Sequence, residues 1–264
     1  MNRLVPFRKS PPRVNVVRLH GAVTTRRGGL NDVTLAPVIE RAFRKGKPAA
    51  VALSINSPGG SPVQSSLIGA RIARLAKEKG VRVYAFIEDV AASGGYWIAC
   101  AADEIFADHS SIIGSIGVIS AGFGFDDFIS RHGIARRVYT SGGSKSQLDP
   151  FRPENPDDVA RLKDLQGDVH EAFIAHVKKA RGETLSTDVE LFDGSFWTGQ
   201  RAVDLGLADG IDHLVPHMKH VFGDKVRLSV FGPRQPFLTR FGASISEGAV
   251  LGVEERVQWA RFGL

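Results

Sequence analysis

Short, continuously apolar runs alternate with stretches whose apolar residues recur every three or four positions in the N-terminal part of this chain. Val14–Leu19, Ala49–Asn56 and Val81–Ile87 read as strands, whereas Asn31–Lys45 and Ser61–Lys79 read as helices. Strands apolar on both faces and separated by helices belong to βαβ units around a parallel sheet. The pattern continues with a short helix from about Ser93, strands near Glu104–Ala107 and Ile116–Ile119, a helix near Asp126–Arg131 and a strand at Ala135–Tyr139. A long helix over Asn155–Arg181 follows, with Val159, Leu162, Leu165, Val169, Phe173 and Val177 on one stripe. Gly199–Leu205 reads as a helix and Asp209–Asp212 as a strand. Lys225–Phe231 reads as an edge strand stopped by Pro233 and Pro236, and Ser246–Phe262 as an amphipathic helix. The expected class is α/β with a mostly parallel sheet. The expected division is a basic leader over 1–13, a main domain over 14–215 and an extension over 216–264 that closes its own core or docks on a neighbouring subunit.

Composition narrows the class. The 264 residues are 43% hydrophobic and 23% charged, with one cysteine, which excludes disorder and a disulfide scaffold. The formal charge of +6 is uneven: residues 1–27 hold seven basic side chains and no acid, and the other 237 residues hold 27 basic and 28 acidic ones. A basic patch on the body, the footprint of a nucleic-acid binder, is therefore not indicated. The N-terminal charge suits a solvated leader or contact with anionic lipid through residues 1–27. Residues 48–70 are uncharged but contain three prolines and two adjacent glycines, Gly59 and Gly60, so they do not form a membrane-spanning helix. With no signal-peptide pattern near Met1 either, the expected location is cytoplasmic, with peripheral contact at the inner membrane face.

Four loops rich in small residues follow strands, at the sheet edge where parallel α/β folds bind ligands. Asn56-Ser57-Pro58-Gly59-Gly60 brings backbone N–H groups close to a ligand, and without a Gly-Lys-Ser/Thr element the better use is stabilising an oxyanion. Ala91-Ala92-Ser93-Gly94-Gly95 sets a serine at a strand-to-helix turn, as a nucleophile elbow does, although Ala91 replaces the first glycine of G-x-S-x-G. Alone, Ser93 is equally a helix N-cap. Gly114-Ser115-Ile116-Gly117 and Ser141-Gly142-Gly143-Ser144-Lys145 complete the set.

Together with Phe196-Trp197-Thr198-Gly199-Gln200-Arg201-Ala202 and Leu205-Gly206-Leu207-Ala208-Asp209, these loops resemble, in order and spacing, peptidase family S49, the signal peptide peptidase A and SohB-like group. The resemblance covers roughly Val14 to Asp212. It implies a ClpP/crotonase-like spiral of βαβ units and a Ser-Lys dyad acting on peptides, signal-peptide remnants being the family's usual substrates. Ser93 is then the nucleophile, Lys145 the general base and Ser115 the residue that holds the lysine amine. N–H groups of Gly59 and Gly94 form the oxyanion hole. It also implies a homo-oligomeric ring in which serine and lysine can come from different subunits. A lysine acting as base near neutral pH must be withdrawn from water, so Lys145 is expected to be largely buried in the working site and Asp149 to point away from it.

Competing readings are a crotonase-like acyl-CoA enzyme, a catalytically inactive ring scaffold and a Ser-His-Asp triad drawing on His109 or His132. His20, His170 and His176 read as structural or exposed, and Cys100 as a small core residue on the Ser93 helix. No spacing of His, Cys or carboxylates suggests a metal site, and no cofactor or nucleic-acid partner is expected.

Overall fold

The computed structural model describes residues 11–26, 28–232 and 259–263. Its strands are β1 (Arg13–His20), β2 (Ala50–Ser57), β3 (Arg82–Ala92), β4 (Glu104–Ala107), β5 (Ile112–Gly114), β6 (Phe196–Thr198), β7 (Gly210–Ile211) and β8 (Arg227–Phe231). They form one sheet in the order β6-β5-β3-β2-β1-β8, with β4 on β3 and β7 on β4. Every pairing is parallel except β5 with β6. The edge of β3 is shared: Tyr84–Ile87 pairs with β4 and Val90–Ala92 with β5. This split turns the sheet into a spiral of βαβ units of the ClpP/crotonase kind.

The helices are α1 (Asp32–Arg44), α2 (Pro62–Lys79), α3 (Gly94–Ala99), α4 (Asp126–Arg131), α5 (Pro156–Arg181), α6 (Gly199–Asp204) and α7 (Leu214–Phe222). Each of the first two starts where its cap dictates: Asn31 Oδ1 accepts from Thr34 N–H at 3.0 Å, and Ser61 Oγ accepts from Gln64 N–H just ahead of Pro62. Alternate residues of the central strands serve opposite faces. Val51, Leu53 and Ile55 meet the face covered by α1, α2 and α3, with Leu35, Ile39, Ile68 and Ile72 in the same core. Ala50 and Ala52 face the other way, where Met218 of α7 packs over Tyr84, Phe86 and Phe106. The alanines leave room for those larger rings.

The C-terminal half of α5 is tied to the body. Trp97 of α3 stacks on Phe173 and His176 at ring separations of 4.9 and 4.8 Å, and His176 Nε2 lies 3.0 Å from Trp97 O. Burial holds the His176 imidazole below its ordinary value. Buried Arg181 grips both carboxylate oxygens of Asp209 at 2.8 and 2.9 Å and donates to Gly206 O. Beneath α3, Tyr96 O–H donates to Leu207 O at 2.8 Å, and burial pushes the neighbouring Cys100 thiol up to about 12.

Several sequence expectations are corrected. β3 runs on through Glu88 and Asp89 to Ala92 rather than ending near Ile87. The strand expected at 116–119 is instead Ile112–Gly114, because positive φ at Gly114 and Ser115 ends the extended run there. Residues 135–139 form no strand, since no neighbouring strand pairs with them. Leu165 on the expected apolar stripe of α5 is exposed. β8 does lie at the sheet edge beside β1. Most of the helix expected over 246–262 lies outside the described residues.

Candidate active site

Ser93 stands between the end of β3 and the start of α3, at φ 51° and ψ −121°. A side chain at positive φ is strained, and strain of this kind persists where the surroundings over-determine it. Two contacts do so. Ser93 N–H donates to Gly114 O at 2.8 Å, which fixes the turn to the end of β5. From the other side Gly59, at φ 93°, presses against the serine: a Cβ on Gly59 would lie 2.6 Å from Ala92 O and Gly94 N and 2.8 Å from Ser93 Cβ. Gly94 is equally constrained, because a Cβ there would overlap Ser65 Oγ, which projects from α2. The Ser93 side chain caps no helical N–H, so the N-cap reading of its hydroxyl does not describe it. This strained strand-to-helix backbone is the kind that nucleophile elbows use, reached here without the first glycine of the G-x-S-x-G pattern.

Ser93 lines a cleft of about 440 Å³ together with Thr24, Arg26, Gly60, Ser61, Val118 and Arg261. The cleft is held open by crossing hydrogen bonds: Val23 N–H donates to Gly59 O at 2.7 Å, and Ser61 N–H to Val23 O at 2.8 Å. Gly59 N–H itself donates to Ser57 Oγ at 3.2 Å, a long and weak bond to a neutral acceptor. Ser57 and Ser65, both buried, are supporting residues that sequence reasoning missed. Their signal was small size at positions facing the Gly59 and Gly94 loops.

Of the residues expected at the site, the structure brings Gly59, Ser93 and Gly94 into contact. Ser115 follows Gly114 directly; it is buried, at φ 52°, and donates its N–H to Ser195 O at 2.7 Å. Lys145 stands elsewhere. It is exposed in the turn after Gly142, and among the described residues no hydrogen bond joins it to Ser93 or Ser115. Asp149 is engaged away from that lysine: its carboxylate accepts from Phe151 N–H and from Arg136, and these two partners hold it below the ordinary carboxylate range. His109 and His132 are exposed and bond no serine side chain among the described residues; His132 Nδ1 lies against Phe128 O. Among the described residues no group of three or more His, Cys, Asp or Glu could hold a metal.

A larger hollow, about 550 Å³, opens on the α7 face of the sheet beside Ser54, Glu88, Asp108, Asp212 and His213. It includes a chain in which Ser54 Oγ donates to Glu88 Oε1 at 2.6 Å with His20 Nε2 2.8 Å from that hydroxyl. The serine proton is directed at the carboxylate rather than at the imidazole. That arrangement ties β1, β2 and β3 together, and Ser54 sits within the regular run of β2 rather than at a strained turn. The strained serine makes the smaller cleft the candidate.

The model of peptidase family S49 matches residues 75–219, a span that includes Ser93, Ser115 and Lys145. The chain belongs to peptidase family S49. Among its relatives are a protein named Na(+)/H(+) antiporter NhaA from Brucella melitensis, 45% identical over all of this chain and 39% of its own length, and a putative signal peptide peptidase SppA from Enterococcus faecium, 31% identical over 62% of this chain and 47% of its own. The chain thus spans less than half the length of these two relatives. Among solved structures, the membrane-bound stomatin-specific protease 1510-N aligns over 86% of this chain and 100% of its own, with a TM-score of 0.50 and 17% identity, a likeness of fold. No helix among the described residues is long and apolar enough to cross a membrane.

Proposed function

We propose that this S49 chain is a serine peptidase that hydrolyses peptides through an acyl-enzyme, with Ser93 as nucleophile. The observation that carries this reading is the backbone of Ser93, strained between Gly59 and Gly114 at the mouth of a cleft. Ser93 Oγ attacks the scissile carbonyl carbon while Lys145 Nζ takes the hydroxyl proton. The tetrahedral oxyanion is received by the N–H groups of Gly59 and Gly94, the first exchanging Ser57 Oγ for a charged and therefore stronger acceptor. Lys145 gives its proton to the departing amine, then deprotonates the water that releases the acyl group. Ser115 orients the lysine amine.

Lys145 reaches the dyad from a neighbouring copy of the chain. In one chain the lysine is exposed on an arm over residues 118–153 that also shows Phe123 at 82% and Tyr139 at 92% exposure. Docking that arm on a second copy covers its rings and withdraws Lys145 from water, so the working form is a homo-oligomer. The substrates are peptides, signal-peptide remnants among them, as the name of the Enterococcus relative suggests. The stretch shared with the antiporter-named protein contains the S49 match, so the transport in that name is not carried over. Residues 1–27, with seven basic side chains, give peripheral contact with anionic lipid at the cytoplasmic face.

A fluorophosphonate probe on the assembled protein tests the reading. Labelling is expected at Ser93 and absent in Ser93→Ala, whose peptide turnover falls by several orders of magnitude. Turnover retained by Ser93→Ala refutes it. An assembled protein whose Ser93 never reacts would instead be the non-catalytic scaffold, the reading favoured by Lys145 lying outside the cleft of its own chain.

A further inference from the structure

The segment Trp259–Gly263 returns to the sheet beside the proposed nucleophile. Phe262 is buried and shares an apolar cluster with Val90 and Ala92 of β3, Ile112 of β5 and Trp259. Its ring meets Phe196 of β6 edge-on at 5.1 Å. Ala91 and Ile113, the alternating neighbours, belong to the main core, so Phe262 covers the opposite side of the short β3–β5–β6 extension. That extension ends at Ser93. The preceding residue, Arg261, lines the Ser93 cleft itself. An aromatic ring in a notch against Ala92, and an adjoining cation in the cleft, is the disposition of a bound peptide.

We propose that Trp259–Gly263 is a ligand supplied in cis: it occupies the notch above Ala92 and the adjoining end of the Ser93 cleft, and an incoming peptide must displace it. The proposal rests on reading the Ser93 cleft as a peptide site. The anchor is small, because Phe262 is the only buried residue of the five and Ala260, Arg261 and Gly263 are exposed. Burial of one such ring biases the occupied over the open state by about tenfold to a hundredfold. A bias of that size closes the cleft at rest and still yields to a peptide of moderate affinity.

The test uses the full chain, the Phe262→Ala variant and the fluorescein-labelled peptide Trp-Ala-Arg-Phe-Gly. By fluorescence anisotropy, Phe262→Ala is expected to bind the peptide at least about tenfold more tightly than the unaltered chain, with Phe262→Leu between them. Labelling of Ser93 by a fluorophosphonate is expected to speed up in Phe262→Ala and to slow again when unlabelled peptide is added. Equal peptide affinity in the two chains, with circular dichroism showing both folded, overturns the proposal; so does Phe262→Leu binding no better than the unaltered chain, should Phe262→Ala fail to fold. If Ser93 is unreactive in every chain, the serine-peptidase reading falls, while the anisotropy comparison still decides whether the segment fills the notch.

Discussion

Gly59→Ala removes nothing and adds a single methyl, so its effect isolates the contact that holds Ser93. The new Cβ would lie 2.6 Å from Ala92 O and Gly94 N, and ordinary contact at 3.4 Å requires the two loops to part by about 0.8 Å. None of these neighbours is the free end of a flexible side chain, so the strain falls on backbone. Overpacking of this kind costs about 1–3 kcal/mol, and an alanine held at φ 93° adds about 1–2 kcal/mol. The variant is therefore expected to lose about 2–5 kcal/mol of stability in urea denaturation, or to relax by moving Ser93. A displacement approaching 1 Å costs roughly a hundredfold in rate. Gly80→Ala is the control: it too has positive φ, 60°, but open space around it, and should cost about 1 kcal/mol with Ser93 labelling unchanged. Wild-type stability together with a wild-type labelling rate in Gly59→Ala would refute the argument that this contact sets the nucleophile.

Other expectations concern the frame around the site. Asp209→Ala leaves the buried Arg181 guanidinium without its carboxylate and should cost about 3 kcal/mol in chemical denaturation, with part of the loss recovered in Arg181→Met/Asp209→Ala. His176 has a folded value held below its unfolded 6.5 by burial, so the unfolded chain takes up the proton first as pH falls. Stability should accordingly drop as pH is lowered from about 6.5 toward the folded value, and His176→Gln should flatten that part of a Tm-against-pH curve; a slope unchanged by the substitution would contradict this. Cys100, buried with its thiol pushed up to about 12, should resist iodoacetamide at pH 8 in the native protein and react once it is unfolded in guanidinium.

Much of this architecture could be read along the chain wherever one local rule dominated. The limits of β1, β2, α1, α2 and α5 follow from continuous apolar runs and from Asn31, Ser61 and Asn155 acting as caps. The errors came where tertiary pairing overrode local pattern. Glu88 and Asp89 look like the end of a strand, yet they sit where β3 passes from β4 to β5, with Ser54 Oγ and Asn56 Nδ2 donating to their carboxylates. α7 was missed because the side chain it buries, Met218, meets a sheet face made of residues distant in sequence. At the site, glycines and serines announced the turn at Ser93, since only small residues permit the approach of Gly59 and Gly94. What a single chain did not disclose was a partner for Lys145. It is exposed in its own loop, so the proposed dyad needs a neighbouring copy to withdraw that amine from water.

Mixing two inactive variants tests this most directly. Ser93→Ala keeps Lys145 and Lys145→Ala keeps Ser93, so neither should turn over peptide alone. If each site takes its serine from one subunit and its lysine from the next, random co-assembly of equal amounts restores an intact pair at about a quarter of the sites. Peptidase activity near that fraction of wild type, appearing only after the variants are dissociated and reassembled together, is the expected result. A mixture as inactive as its parts, in oligomers shown by mass to contain both chains, would contradict a dyad completed between neighbouring subunits.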